Sequence, residues 1–118
     1  MEVECKICNE QRRKQDIVFS NDLISVKHYI KDRTGNHNYL GYYMIESTRH
    51  FKGMYDATEK EMQDIGAMAQ KLSSALMQVV DGEHVYAFVM GDGVDHFHMK
   101  HILIVPLDFS MKMMLLGN

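Results

Sequence analysis

The chain is expected to fold as an α+β domain: an antiparallel sheet carrying one long helix. Three observations lead there. Stretch 59–80 has helical periodicity, with Met62, Ile65, Met68, Ala69, Leu72, Leu76 and Val79 recurring every three or four residues to form one apolar stripe. Short apolar or aromatic runs lie on both sides of it, as strands do. No regular alternation of strand with helix, the mark of a parallel sheet, is present.

Taken in order, residues 12–15 read as part of a short polar helix or loop, and 17–19 and 23–30 as strands. Gly35-Asn36-His37-Asn38 marks a turn, consistent with a hairpin into the tyrosine-rich strand 40–45. Thr58 and Glu61 have the spacing of a capping box, in which hydroxyl and carboxylate satisfy the free backbone donors of a helix start. Gly82 is a plausible stop for that helix. Two further strands follow at 85–90 and 96–105; the second begins with alternation and ends apolar. The last nine residues, from Ser110, carry an apolar cluster that suits either the core or a second subunit.

A length of 118 residues fits a single domain, 1–118, with one core. The 46% hydrophobic and 25% charged fractions are those of an ordinary globular chain. A net charge of -3 argues against a broad phosphate-backbone footprint, so nucleic acid is not the expected partner. A small anionic ligand remains compatible, because a few local donors can hold one phosphate. No segment approaches the roughly 20 apolar residues of a membrane span, and the acidic start Met1-Glu2-Val3-Glu4-Cys5 lacks an apolar signal core; a cytoplasmic location is the default expectation.

Three segments carry chemistry. Gly91-Asp92-Gly93-Val94-Asp95 leads into His96-Phe97-His98-Met99-Lys100-His101. In a regular strand His96, His98 and Lys100 share one face, while Phe97, Met99 and His101 share the other. Two imidazoles and an ammonium beside a Gly-Asp-Gly loop suit an anion, since successive backbone N–H groups of such a loop form a concave nest for phosphate oxygens. The plainer reading is an exposed His-x-His strand preceded by a turn. Cys5-Lys6-Ile7-Cys8 has the spacing of two thiolates sharing a tetrahedral zinc, with histidines as the remaining ligands. A redox Cys-x-x-Cys is the alternative, but it belongs beside a βαβ unit that is not evident here. The third segment, Gly41 onward to Arg49-His50, places a histidine just after a strand.

Together and in this order, the segments resemble the histidine-triad (HIT) superfamily. Its late pattern of histidines alternating with apolar residues is matched by His96-Phe97-His98-Met99-Lys100-His101-Ile102. Its upstream strand ending in Arg-His is matched at Arg49-His50, and the Thr-x-x-Glu helix start at Thr58. The resemblance implies a five-stranded antiparallel sheet with one long and one short helix, usually paired as a homodimer. It implies a zinc site in the Cys-x-x-Cys branch, shared with galactose-1-phosphate uridylyltransferase relatives. By position the ligands are Cys5, Cys8, His50 and His96, a closed set that makes the zinc structural. His98 matches the nucleophile that attacks the α-phosphorus of a nucleotide ester, amide or anhydride to form a nucleotidyl-histidine. Gly91, Asp92 and Gly93 match the phosphate loop, and Asp32 is the candidate for the ribose-binding acid, against a reading as a solvated hairpin charge.

Departures from the family pattern are equally specific. The third triad position holds Lys100, with His101 one residue later; a one-residue bulge is what it takes to return His101 to the site. Lysine is a poor proton donor at neutral pH unless its pKa is lowered. Tyr42 stands where relatives often have a histidine, Ser47 where they often have proline, and Asp92 and Gly93 where phosphate-binding polar residues are common. The leading expectation is a nucleotidyl hydrolase or transferase. The alternative is a nucleotide-binding or regulatory module that keeps fold and zinc, and a third is a zinc-stabilised interaction protein.

Overall fold

The computed structural model describes residues 5–29, 41–79, 83–89 and 94–104. Helix α1, Lys6–Arg13, starts at Cys5, whose sulfur accepts the Cys8 backbone N–H at 3.4 Å; its last turn carries Arg12 and Arg13, which complement the helix dipole. It ends on Lys14 in the left-handed region, φ 54°. Strands β1, Ile17–Ser20, and β2, Ile24–His28, form a hairpin. Its turn is made by Asn21, whose side-chain oxygen accepts the N–H groups of Leu23 and Ile24 at 2.9 Å. Strand β3, Tyr42–Ser47, is followed by a single 3-10 turn, Met54–Asp56, and then by helix α2, Glu59–Val79. Strands β4, His84–Phe88, and β5, His98–Ile104, complete the sheet.

The five strands run in the order β1-β2-β3-β5-β4, and every neighbouring pair is antiparallel. The expected α+β architecture is therefore observed, and the expected helix 59–80 appears as Glu59–Val79. Its capping box is formed: the Glu61 N–H donates to Thr58 Oγ1 at 3.1 Å, and the Thr58 N–H donates to Glu61 Oε1 at 2.8 Å.

Register assigns the two faces of the sheet. Val26 stands opposite Ile45, and Ile45 opposite Met99, so these share a face. That face packs on α2, where Ile24, Val26, Ile45, Ile65, Phe51 and Phe97 form the buried core, flanked by Met62, Met68, Ala69 and Leu72. The apolar stripe of the helix is thus used as its spacing predicts. The other face carries Ser25, Lys27, Met44, Glu46, His98 and Lys100. Helix α1 covers one end of it: Lys27 is ion-paired with Glu10, and the Gln11 amide donates to Ser25 Oγ at 3.1 Å and to the Ser47 carbonyl at 3.0 Å. No helix among the described residues is long and apolar enough to cross a membrane.

The Gly35-Asn36-His37-Asn38 turn, Gly82 and the C-terminal apolar cluster lie outside the described residues.

Candidate functional site

Two sites adjoin at the β3–β5 end of the sheet. The first gathers Cys5, Cys8, His50 and His96, whose prospective ligand atoms all lie within 4.8 Å of one another. Three segments far apart in sequence supply them: the start of α1, the turn after β3 and the approach to β5. His96 Nδ1 is 3.4 Å from both sulfurs and 3.2 Å from His50 Nδ1, and Cys8 Sγ is 3.4 Å from His50 Nδ1. Tetrahedral zinc with ordinary Zn–S and Zn–N bonds has ligand-to-ligand edges of about 3.3–3.8 Å, so these separations fit one such ion.

The surrounding bonds favour the same donor set. A carbonyl only accepts, so the 2.7 Å contact between His96 Nε2 and the Ser47 carbonyl places the ring proton on Nε2. The Nδ1 lone pair is then turned toward the two sulfurs and His50. This outer hydrogen bond is the arrangement that orients metal-binding histidines. Burial and the adjoining Cys5 thiol push the Cys8 thiol up to about 11. A divalent ion reverses that balance, because it deprotonates coordinating thiols.

His50 itself is exposed and is held in place by its neighbour. Arg49 donates to both carboxylate oxygens of Glu61, Nε to Oε2 at 3.1 Å and Nη2 to Oε1 at 2.8 Å, and also to the Asp56 carbonyl at 2.8 Å. The Arg49 guanidinium, and then the Thr58 backbone and hydroxyl, hold the Glu61 carboxyl down at about 2 against the opposing effect of burial.

The second site is a cavity of about 270 Å³ between α1 and the sheet, lined by residues that include Lys27, Glu46, His98 and Lys100. His98 is 5% exposed. Its Nδ1 lies 2.8 Å from the His96 carbonyl and so carries the proton, which leaves the free lone pair on Nε2. Burial lowers the His98 pKa, and the charges of Lys100 and Lys27 push the same way, so the neutral imidazole is favoured. Lys100 lies 6.0 Å from the ring centre of Tyr42 and 5.9 Å from that of Phe88, within cation–π range.

Glu46 stands directly opposite His98 in the β3–β5 ladder. It is fully buried, and neither carboxyl oxygen has a hydrogen-bond partner among the described residues. The Gln11 amide is close enough to favour the carboxylate but is committed to Ser25 and Ser47. Burial pushes the Glu46 carboxyl up to about 7; Lys27 opposes the rise and Glu10 adds to it.

Two expectations are corrected. His96 precedes β5 and does not lie on it: its backbone is bent, and the chain is tied at the next residue by the Phe97 N–H donating to the Phe51 carbonyl at 2.7 Å. His96 therefore turns toward the cysteines, and it does not share the cavity face with His98 and Lys100. His101 does not return to the site. The β3–β5 register runs without a bulge from Tyr42↔Ile102 to Glu46↔His98, which leaves His101 on the α2 side, buried. Among the described residues neither of its ring nitrogens has a well-formed hydrogen bond, and burial lowers its pKa against the opposing Met99 and Ala69 backbone groups. Gly91, Asp92, Gly93 and Asp32 fall outside the described residues.

Sequence reasoning passed over Glu46, Lys27 and Glu10. The available signal was charge inside strands: Lys27 follows Val26 and Glu46 follows Ile45, where a face covered by a helix normally takes apolar side chains.

No protein-family model matches the chain, and no curated protein matches it in sequence. Its structure does match solved ones. A HIT family protein from Bacillus anthracis superposes with a TM-score of 0.73 at 14% identity, covering 100% of this chain and 93% of that one. A member of the HIT family from Bacillus subtilis gives 0.72 at 13% identity, covering 93% and 86%. A HIT family hydrolase from Legionella pneumophila gives 0.64 at 15% identity, covering 90% and 97%. The chain has the fold of these HIT proteins.

Proposed function

We propose that the chain is a histidine-triad protein of the zinc-binding Cys-x-x-Cys branch, acting as a nucleotidyl hydrolase or transferase with His98 as nucleophile. The observation that carries this reading is His98 itself. On a HIT fold, its Nδ1–H is fixed on the His96 carbonyl and the Nε2 lone pair is left at a cavity with two lysines, Lys27 and Lys100, in its wall. In the first step Nε2 forms a bond to the α-phosphorus of a nucleotide ester, amide or anhydride, and the bond to the leaving group breaks with its electron pair. In the second, water forms the new P–O bond and gives up a proton to a base or solvent, the P–N bond breaks, and its pair returns to Nε2. Lys27 and Lys100 offset the charge of the phosphate oxygens.

Zinc held by Cys5, Cys8, His50 and His96 supplies a structural cross-link. A closed four-ligand set leaves no open position for substrate. Because His96 lies two residues before His98 and its carbonyl takes the His98 Nδ1 proton, His96 also fixes the tautomer of the nucleophile.

The test is turnover of adenosine or guanosine 5′-phosphoramidates and of dinucleoside polyphosphates, with His98→Asn alongside. Turnover and a covalent nucleotidyl-protein, both lost in His98→Asn, are expected. Turnover that persists in His98→Asn removes the assignment. One observation favours a second reading, a nucleotide-binding module without turnover: Lys100 stands where a proton-donating histidine is expected. Tight nucleotide binding with no covalent intermediate in the wild type is the outcome that selects it. The same reading makes a homodimer the expected state, measurable by light scattering.

A further inference from the structure

We infer that Glu46 is the proton donor to the leaving group: the carboxyl facing His98 across the β3–β5 ladder does the work that Lys100 cannot do. The inference rests on the nucleotidyl-transfer reading and adds a catalytic residue to it.

Three observations converge. Glu46 and His98 are directly paired on adjacent strands, so their Cβ atoms are separated by about 4.5–5.5 Å and both side chains face the same cavity. Glu46 is fully buried with no hydrogen-bond partner among the described residues, although it lies among groups able to supply one. A buried, unsatisfied carboxyl costs stability, and an apolar side chain of similar size is the better choice for packing alone. Finally, Lys27, the cation with the largest effect on Glu46, is ion-paired with Glu10.

The charged and titratable groups around Glu46 are Lys6, Cys8 and Glu10 on α1, Lys27 on β2, and His98 and Lys100 on β5. Burial among them leaves the carboxyl titrating near neutrality, where a carboxylic acid can both give and regain a proton.

The balanced sequence is as follows. His98 Nε2 bonds to phosphorus while the bond to the leaving oxygen or nitrogen breaks, and that atom takes the Glu46 proton, leaving a carboxylate. Water then attacks phosphorus and gives a proton to the Glu46 carboxylate as the P–N bond breaks, restoring both residues.

The experiment compares wild type with Glu46→Gln on two substrates sharing one nucleoside: a 5′-phosphoramidate, whose amine must be protonated to leave, and a p-nitrophenyl 5′-phosphodiester, whose phenolate leaves unaided. The expected result is a loss of 10²-fold or more in the single-turnover rate of nucleotidyl-His98 formation on the phosphoramidate, with less than a threefold change in that rate on the nitrophenyl ester. Equal losses on both, or no loss on either, overturn the role of Glu46. If Glu46→Gln does not fold, the wild type decides on a series of aryl esters: a steep fall in rate with leaving-group basicity overturns the proposal, and a shallow one supports it. Inertness of the wild type toward both substrates removes the nucleotidyl-transfer reading as well, which distinguishes that failure from failure of Glu46 alone.

Discussion

Arg49 and Glu61 are joined by two hydrogen bonds, at 2.8 and 3.1 Å, that tie the turn after β3 to the first turn of α2. The same Glu61 carboxylate accepts the Thr58 N–H and so closes the helix cap. One buried side chain therefore starts the helix and steadies the residue next to His50.

That coupling gives a first prediction. Glu61→Gln should lower the melting temperature and weaken metal retention together, whereas Thr58→Ala should cost only the cap, about 1 kcal/mol. The pH dependence follows from the lowered carboxyl. Glu61 titrates near 2 when folded and near 4.5 when unfolded, so its contribution is complete above about pH 4.5 and is lost as pH falls toward 2. Urea unfolding of wild type and Glu61→Gln should converge over that interval. Parallel curves would exclude the Arg49–Glu61 pair as the source.

Metal removal is the second prediction. Purified protein should carry one zinc per chain by elemental analysis. Cys5→Ser should lose it and unfold at lower temperature, because the ion would join α1 to the turn after β3 and to the approach to β5. A chelator should loosen the fold gradually and abolish activity only as the fold loosens. Full zinc occupancy in Cys5→Ser would remove Cys5 from the ligand set.

Glu46 gives a third. Its carboxyl titrates near 7 in the fold against 4.5 unfolded, a raised acid pKa. The sign is therefore the reverse of Glu61: the folded state is penalised as pH rises from about 4.5 to 7, by on the order of 3 kcal/mol in all. Glu46→Gln should escape the penalty, so the stability difference between variant and wild type should shift in the variant's favour over that range and stay flat above it. A difference independent of pH would show that the carboxyl ionises freely in the fold.

How much of this was legible in the sequence depends on whether the signal was local. The α2 boundaries and the Thr58–Glu61 cap rest on spacing and pattern, whereas the Cys5, Cys8, His50 and His96 grouping rests on the family resemblance; the structure brings those residues together. The facing of His96 was misread because alternation assumes that a strand has already begun; the bend before β5 is set by Phe97 bonding to Phe51, a contact across 46 residues. Lys27 and Glu46 were passed over because charge inside a strand does not say whether its face is covered; that α1 lies over them is a tertiary fact.

The last prediction concerns Lys100. It shares a sheet face with His98 and lies near the rings of Tyr42 and Phe88, where its charge disfavours protonation of His98. If Lys100 serves phosphate as a fixed cation while Glu46 moves the proton, Lys100→His should not rescue a failing enzyme. It should weaken nucleotide binding, because a mostly neutral imidazole replaces an ammonium, and raise KM about tenfold with a smaller change in kcat. If Lys100 is a defective stand-in for a histidine, the same substitution should raise kcat, most of all on phosphoramidates. Steady-state kinetics of Lys100→His, alone and combined with Glu46→Gln, separate the two. A histidine at position 100 that restores turnover in the Glu46→Gln background would place the proton at the triad position, and a double variant no faster than Glu46→Gln alone would keep it on β3.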